Sequence, residues 1–197
     1  MPRSLLYDVL QPVAAVIAVF LVLVLVTGVW PPMVAIESGS MDPHMQRGDM
    51  VVVTATDRFS GSGADAAGVV TTDDDGDYRR FVGDGDVIIY EAPNRGTPII
   101  HRARFRVEAG ENWYDRANRS YLPVTADSCD ELRNCPAPYD GYVTKGDAND
   151  HYDQAKGIAP VVKHEWIRAK AGLRLPCVGW VRLVVEGSAT LDDVGCP

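Results

Sequence analysis

The chain has 197 residues, a mass of 21.4 kDa and a formal charge of −8, which fit one domain with a small appendage. Its acidic residues are 20 Asp against 7 Glu, and such an excess of negative charge is typical of a surface adapted to salt. A nucleic-acid-binding protein needs a basic face, so nucleic-acid partners are excluded.

An almost unbroken apolar segment from Val9 to Trp30 predicts a transmembrane helix. Its length of about 33 Å crosses a hydrocarbon core. The segment is longer than the apolar part of a cleaved leader, and no A-x-A-like site follows it. We therefore expect a short tail and a retained anchor in residues 1–32. Arg3 and the terminal amine favour a cytoplasmic tail, a single pass through the cell membrane and a domain outside.

The remaining residues, 33–197, predict an extracytoplasmic domain that is mainly β, with short strands and long loops. The predicted strands lie in residues 33–38, 47–56 and 86–93, at the start of 97–115, and within 173–188. A Gly-, Ser- and Asp-rich segment at about 57–86 predicts a solvated acidic insertion. Other loops are predicted in residues 118–142, which contain two cysteines, and 144–157, whereas 163–168 predict a surface edge.

The four cysteines suit disulfides in an outward-facing domain. Cys129 and Cys135 are the likeliest local pair, which leaves Cys177 with Cys196, and free buried thiols are the alternative. The cysteine spacings do not fit a zinc site, and the acidic run lacks the ligand spacing of a calcium loop. We therefore expect no metal and no cofactor.

A nucleophile is suggested by the turn that contains Ser38 and Ser40, because the glycine between them and Pro43 after them hold a hydroxyl away from the backbone. A serine hydroxyl needs a base. The candidate bases are His44, His101, His151, His164 and Lys145. Among these His101 differs, because it ends an apolar strand segment. The residues alone leave ordinary loop and capping roles open for all of them.

Five ordered segments carry a resemblance to a known family: E37-S-G-S-M-D-P43, R47-G-D-M-V-V-V53, I100-H-R102, T144-K-G-D-A-N-D-H-Y-D153 and L173-R-L-P-C-V-G-W180. Together with the anchor they resemble the type I signal peptidases of the archaeal and endoplasmic-reticulum branch. In that branch the general base is a histidine, whereas most bacterial members use a lysine.

The resemblance assigns roles to individual residues. It implies that Ser40 is the nucleophile, His101 the base and Asp153 the acid that completes the triad. Asp147 matches a supporting acid in the same segment. Ser38 matches the donor that assists the Ser40 backbone N–H in the oxyanion hole.

The resemblance also implies a membrane-bound serine endopeptidase that removes N-terminal signal peptides from translocated preproteins after small residues. An extended substrate would add a strand along residues Val34, Ala35, Ile36 and Glu37 or along residues 88–93. The expected partners are these preproteins, the lipid bilayer and the translocation machinery.

Three alternatives stay open from the sequence. The segment G-D-A-N-D departs from the commoner G-D-N-N, which leaves Asp150 as a substitute acid. A self-cleaving serine protease of the repressor type would need a catalytic lysine and a DNA-binding domain in place of the anchor. A membrane-anchored β-rich module that binds extracellular ligands would need no activity.

Overall fold

The computed structural model describes residues 3–74, 77–93 and 95–196, with side chains from Tyr7 onward. Asp75 of the acidic segment and Asn94, next to a predicted strand end, therefore lie outside the described residues. The same holds for the side chain of Arg3.

The chain begins with helix α1, Arg3–Thr27. Its segment Tyr7–Thr27 has a mean hydropathy of 2.9 and its most apolar stretch is not buried in the domain, so it is long and apolar enough to cross a membrane. The helix is followed directly by Gly28, which has a positive φ of 75°. Arg58 donates to the carbonyls of Leu25 and Val26, which ties the end of the helix to the domain.

The domain is built on a six-stranded antiparallel sheet with the order β1–β2–β8–β5–β6–β7. The strands are β1 Met33–Ala35, β2 Met50–Thr54, β3 Arg79–Arg80, β4 Gly83–Asp84, β5 Val87–Tyr90, β6 Ile99–Val107, β7 Gly141–Lys145 and β8 Ile167–Leu175. Strands β3 and β4 form a separate hairpin. The mainly β prediction is confirmed.

Short helices connect the strands. The α-helices are α2 Asp153–Lys156 and α3 Gly179–Val185; the 3₁₀ turns are Trp113–Asp115, Arg119–Tyr121, Cys129–Glu131, His164–Trp166 and Leu191–Asp193. The predicted loop at 118–142 overlaps β7, and the predicted polar turn at 144–157 contains the end of β7 and all of α2.

The C-terminal prediction is wrong in its details. The strand ends at Leu175 and is followed by α3, in which Trp180 and Leu183 are buried three residues apart, as one face of a helix requires. A short apolar run is ambiguous between strand and helix from its pattern alone. Of the predicted surface edge 163–168, residues 163–166 lie partly exposed before the sheet, whereas Ile167 and Arg168 belong to β8, which lies between β2 and β5 and not at an edge.

The acidic segment 57–86 is less solvated than predicted. Val69, Val70 and Thr71 are buried, and the Asp86 carboxylate accepts from the Val70 N–H. Some of its aspartates therefore bind backbone groups in the structure. Such local contacts are invisible in the composition of the segment.

Both predicted disulfides are formed, Cys129–Cys135 and Cys177–Cys196. The first lies in an apolar core that includes Phe105 of β6 and Val143 of β7, and in which Trp113, Leu132 and Tyr152 are buried. The 118–142 segment is therefore held by apolar packing as well as by the disulfide.

Candidate active site

Ser40 lies in the turn that follows β1, at the end of a cleft of about 670 Å³. The cleft is lined by side chains from the first strand and from β5 and β6: Val34, Ala35, Ile36, Glu37, Ser38, Ser40, Ile89, Ile99, Ile100 and His101 among others. Asp42 donates its backbone N–H to Gly39, which closes the turn and holds Ser40 at the cleft.

His101 lies on β6, opposite Ile88 of β5, and is 5% exposed. Its Nε2 is 3.0 Å from the Ser40 Oγ, and its Nδ1 is 2.6 Å from Asp153 Oδ2. The structure therefore brings together Ser40, His101 and Asp153, three residues that are up to 113 positions apart in the chain.

The tautomer of His101 follows from its partners. An ionised carboxylate only accepts, so Nδ1 carries the proton and donates it to Asp153. This leaves Nε2 of the neutral ring as an acceptor for the Ser40 hydroxyl proton. The geometry is that of a serine nucleophile, a histidine base and an orienting acid.

Asp153 is the first residue of α2 and is fully buried. Its Oδ2 also accepts from the Tyr90 hydroxyl at 3.1 Å and from the Thr144 hydroxyl at 2.7 Å. Burial raises the pKa of Tyr90 well above its usual value, and the negative charge of Asp153 adds to this shift, so Tyr90 remains a donor. Sequence reasoning missed both hydroxyls, although Thr144 lies in a segment that carries the resemblance.

Asp147 belongs to a different cluster. It accepts from Arg102 in a bidentate pair, with Nε–Oδ1 at 2.8 Å and Nη2–Oδ2 at 2.6 Å, and from His44 Nδ1 at 2.8 Å. Burial alone would raise the pKa of Asp147, but the hydrogen bonds and charges of Arg102 and His44 lower it below its usual value. Asp147 makes no hydrogen bond to His101.

Among the described residues, the side chains of the other candidates make no hydrogen bond to Ser40. Lys145 donates to the carbonyls of Gly146, Asp147 and Asn149, so its ammonium group holds the turn after β7. Burial lowers the pKa of Lys145, and the charge of Arg104 adds to this effect. Asp150 and His164 are exposed.

Ser38 lies in the same turn as Ser40, and its Oγ lies 3.4 Å from the Ser40 Oγ. Within the part of the chain that is described, the backbone N–H of Ser40 donates to no other group. The Ser38 hydroxyl and this N–H can therefore donate hydrogen bonds to an oxygen that develops negative charge beside Ser40.

Strand β1 has one free edge, because it pairs only with β2. The N–H and C=O of Ile36 bond toward β2, to Asp49 and Gly48. By the alternation of an antiparallel strand, the backbone groups of Ala35 and Glu37 point to the free edge. In the alternative binding strand at 88–93, residues 88–90 belong to β5 and have no free edge, because β5 is paired on both sides, with β8 and β6.

The arrangement can activate a hydroxyl for attack on a carbonyl. Across residues 3–74, 77–93 and 95–196, no group of three or more His, Cys, Asp or Glu side chains is placed to hold a metal ion. The chemistry that these side chains supply by themselves is nucleophilic acyl transfer.

Comparison with known proteins gives two findings. Residues 9–103 match the model of the family described as "Signal peptidase, peptidase S26". The chain is also 32% identical over 103 residues to the "Signal peptidase complex catalytic subunit sec11" of Schizosaccharomyces pombe. That alignment covers 52% of this chain and 49% of the relative, so the chain matches about half of the relative's length. Ser40 and His101 fall inside the family match, whereas Asp147 and Asp153 lie beyond it.

Proposed function

We propose that this chain, which matches the peptidase S26 family model over residues 9–103 and is 32% identical over 103 residues to a signal peptidase subunit, is a membrane-bound serine endopeptidase that removes N-terminal signal peptides from translocated preproteins. The observation that carries this proposal is the hydrogen-bonded series Ser40, His101 and Asp153 at the end of an edge-strand cleft. The comparisons give no support to the alternative of a binding module without activity.

In the first half of the reaction His101 Nε2 takes the proton of the Ser40 hydroxyl while the oxygen attacks the scissile carbonyl carbon. Asp153 keeps the imidazole in the required tautomer and stabilises the imidazolium that forms. The Ser40 N–H and Ser38 donate to the oxyanion, and each well-placed donor contributes about 3–4 kcal/mol. His101 then gives its proton to the leaving amine, which releases the mature protein.

In the second half water attacks the acyl-enzyme on Ser40, with His101 again as base. The signal peptide leaves with a new carboxylate, and Ser40 regains its proton. The preference for small residues before the cut comes from the family, and the cleft lined by Val34, Ile36 and Ile99 is where it would act.

The substrate would bind as an additional strand along the free edge of β1. Main-chain hydrogen bonds to Ala35 and Glu37 supply affinity that does not depend on sequence, which suits an enzyme that processes many preproteins. Side chains on the cleft side of such a strand would contact Val34 and Ile36.

The anchor places this cleft near the bilayer. Only five residues separate the end of α1 at Thr27 from the start of β1 at Met33. We propose that residues 1–32 form the tail and the single anchor, and that residues 33–197 form the catalytic domain outside the cytoplasm. Ser40 would then meet signal peptides where they leave the membrane, beside the translocation machinery.

The test is cleavage of a preprotein whose signal ends in A-x-A by the detergent-solubilised chain. Ser40→Ala removes the nucleophile without creating a buried cavity, so we expect at least about a 10⁴-fold loss, since removal of a catalytic serine elsewhere costs about 10⁶-fold. An unchanged melting temperature controls for folding. Cleavage that survives Ser40→Ala would overturn the proposed function.

A further inference from the structure

Asp147 connects three segments that surround the candidate site. Its carboxylate binds Arg102, the residue directly after His101 on β6, and His44, four residues after Ser40. Arg102 also donates to the carbonyls of Arg80, Asp84 and Gly85, so the connection extends to the acidic segment. The Arg102 and Asp147 side chains are 2% and 8% exposed, which protects their ion pair from water.

The backbone around Asp147 lies directly against the serine turn. The Ala148 N–H donates to the Ser40 carbonyl at 3.0 Å, and the Asp147 N–H donates to Met41 Sδ at 3.4 Å. A Cβ at Gly146 would lie 2.6 Å from the Ser40 carbonyl oxygen, so only glycine allows this approach. The two turns are therefore in contact without the help of long side chains.

His44 is the side-chain link between these turns. Its ring is 26% exposed, and Nδ1 must be the donor because the Asp147 carboxylate accepts. Nδ1 carries a proton in the corresponding neutral tautomer and in the charged ring, so the hydrogen bond requires no particular charge state. On its other side, the His44 carbonyl accepts from Arg174 at 3.1 Å.

The relative position of the turn and β6 determines the distance between Ser40 Oγ and His101 Nε2. The turn carries the nucleophile and β6 carries the base. The hydrogen bond from His44 joins this turn to Asp147, and the Asp147 carboxylate binds Arg102 of β6. A displacement of about 1 Å between reacting groups can lower a rate about 100-fold.

We propose that His44 is a positioning residue, which acts through Asp147 and Arg102 to hold the Ser40 turn at the correct distance from His101. This inference rests on the proposed function, because its readout is the rate of peptide cleavage. His44 hydrogen-bonds to neither Ser40 nor His101 and does not line the cleft along β1, so its effect should fall on kcat and leave substrate binding in that cleft unchanged.

The test compares three variants of the full chain on one signal-peptide substrate. In His44→Asn the side-chain amide places an N–H near the position of Nδ1, whereas in His44→Gln it places one near Nε2; His44→Ala has none. We expect kcat to fall about 10-fold in His44→Ala and His44→Gln, with KM within about twofold, and His44→Asn to stay within about threefold of wild type, as for partners that orient a reactive group. His164→Ala is the matched control, because His164 is exposed.

A double variant separates positioning from a general loss of stability. If His44 acts only through Asp147, the variant His44→Ala, Asp147→Ala has the kcat of Asp147→Ala alone. Unchanged kcat in His44→Ala, or a loss that His44→Asn does not rescue, would overturn the inference while the wild-type enzyme still depends on Ser40. Activity that does not depend on Ser40 would instead refute the proposed function.

Discussion

Two histidine–aspartate pairs lie beside the same serine turn, and they differ in what each imidazole faces. In the pair His101–Asp153 the ring is buried and its second nitrogen meets the Ser40 hydroxyl. In the pair His44–Asp147 the ring is partly exposed and the carboxylate is shared with Arg102.

The contact itself is nearly the same, 2.6 Å in one pair and 2.8 Å in the other. A histidine–aspartate hydrogen bond therefore does not identify a catalytic pair. The group that makes the third contact distinguishes the two pairs. A hydroxyl at Nε2 allows proton transfer, whereas an arginine bound to the carboxylate makes the pair a link between two segments.

The largest effect is expected for Asp153→Asn. The amide has the shape of the carboxylate but lacks its charge, and it can impose the wrong imidazole tautomer, so kcat should fall on the order of 10⁴-fold. The measurement is steady-state cleavage beside a melting curve. Asp150→Asn is the control from the same turn, because Asp150 is exposed, and it should be near wild type.

A smaller loss is expected for Asp147→Asn. This change weakens the link between Arg102 and the serine turn but leaves His101 and Asp153 bonded, so kcat should fall about 10–100-fold, as for residues that orient a reactive group. Steady-state kinetics on both aspartate variants measure the difference. If Asp147→Asn were the inactive enzyme and Asp153→Asn near wild type, the assignment of the two pairs would be reversed.

Tyr90→Phe probes the surroundings of the proposed catalytic pair His101–Asp153. It removes one of the three donors to Asp153 Oδ2, and a hydrogen bond to a charged group contributes about 1.5–3 kcal/mol. We expect kcat to fall about 10-fold, because His101 and Thr144 keep the carboxylate in place. Tyr142→Phe is the control, since the hydroxyl of Tyr142 binds Asp65 instead. Equal rates for the two variants would show that Tyr90 does not support Asp153.

The contacts of Asp147 with Arg102 and His44 should also contribute to the free energy of unfolding. The pKa of Asp147 is lowered in the folded chain, so its charge stabilises the fold above its ordinary value of 3.8, and this contribution is lost as the pH falls through the lowered pKa. Near neutral pH, Asp147→Asn should destabilise by about 3 kcal/mol, the lower end for a broken buried ion pair. The difference in the free energy of unfolding between wild type and Asp147→Asn should become smaller below about pH 4 in denaturant titrations. A difference independent of pH would contradict this assignment.

The sequence predicted the parts of the fold whose signal is local. The β-branched runs around Val51, Ile88 and Ile100 indicate strands because β-branched side chains pack well on the pleated surface of a sheet. Helix α3 and the interior position of β8 were not predicted, since the apolar run is short and strand order is set by contacts across the sheet.

In the candidate site, too, the residues with a local signal were predicted and those whose contacts depend on packing were missed. Ser40 and His101 stand out through a tight turn and a strand end, and family resemblance then separated Asp153 from Asp147. Tyr90 and Thr144 lie on β5 and β7, and their approach to Asp153 depends on the packing of both strands against α2. No spacing along the chain encodes such a contact.

The most direct test of the assignment is covalent labelling of the solubilised chain with a serine-reactive phosphonate, with the adduct located by mass spectrometry. We expect the adduct on Ser40, formed at least about 10³-fold more slowly in His101→Ala, because the hydroxyl is then without its base. His164→Ala should label at the wild-type rate. An adduct on another serine, or undiminished labelling of Ser40 in His101→Ala, would contradict the assignment of Ser40 and His101 as nucleophile and base.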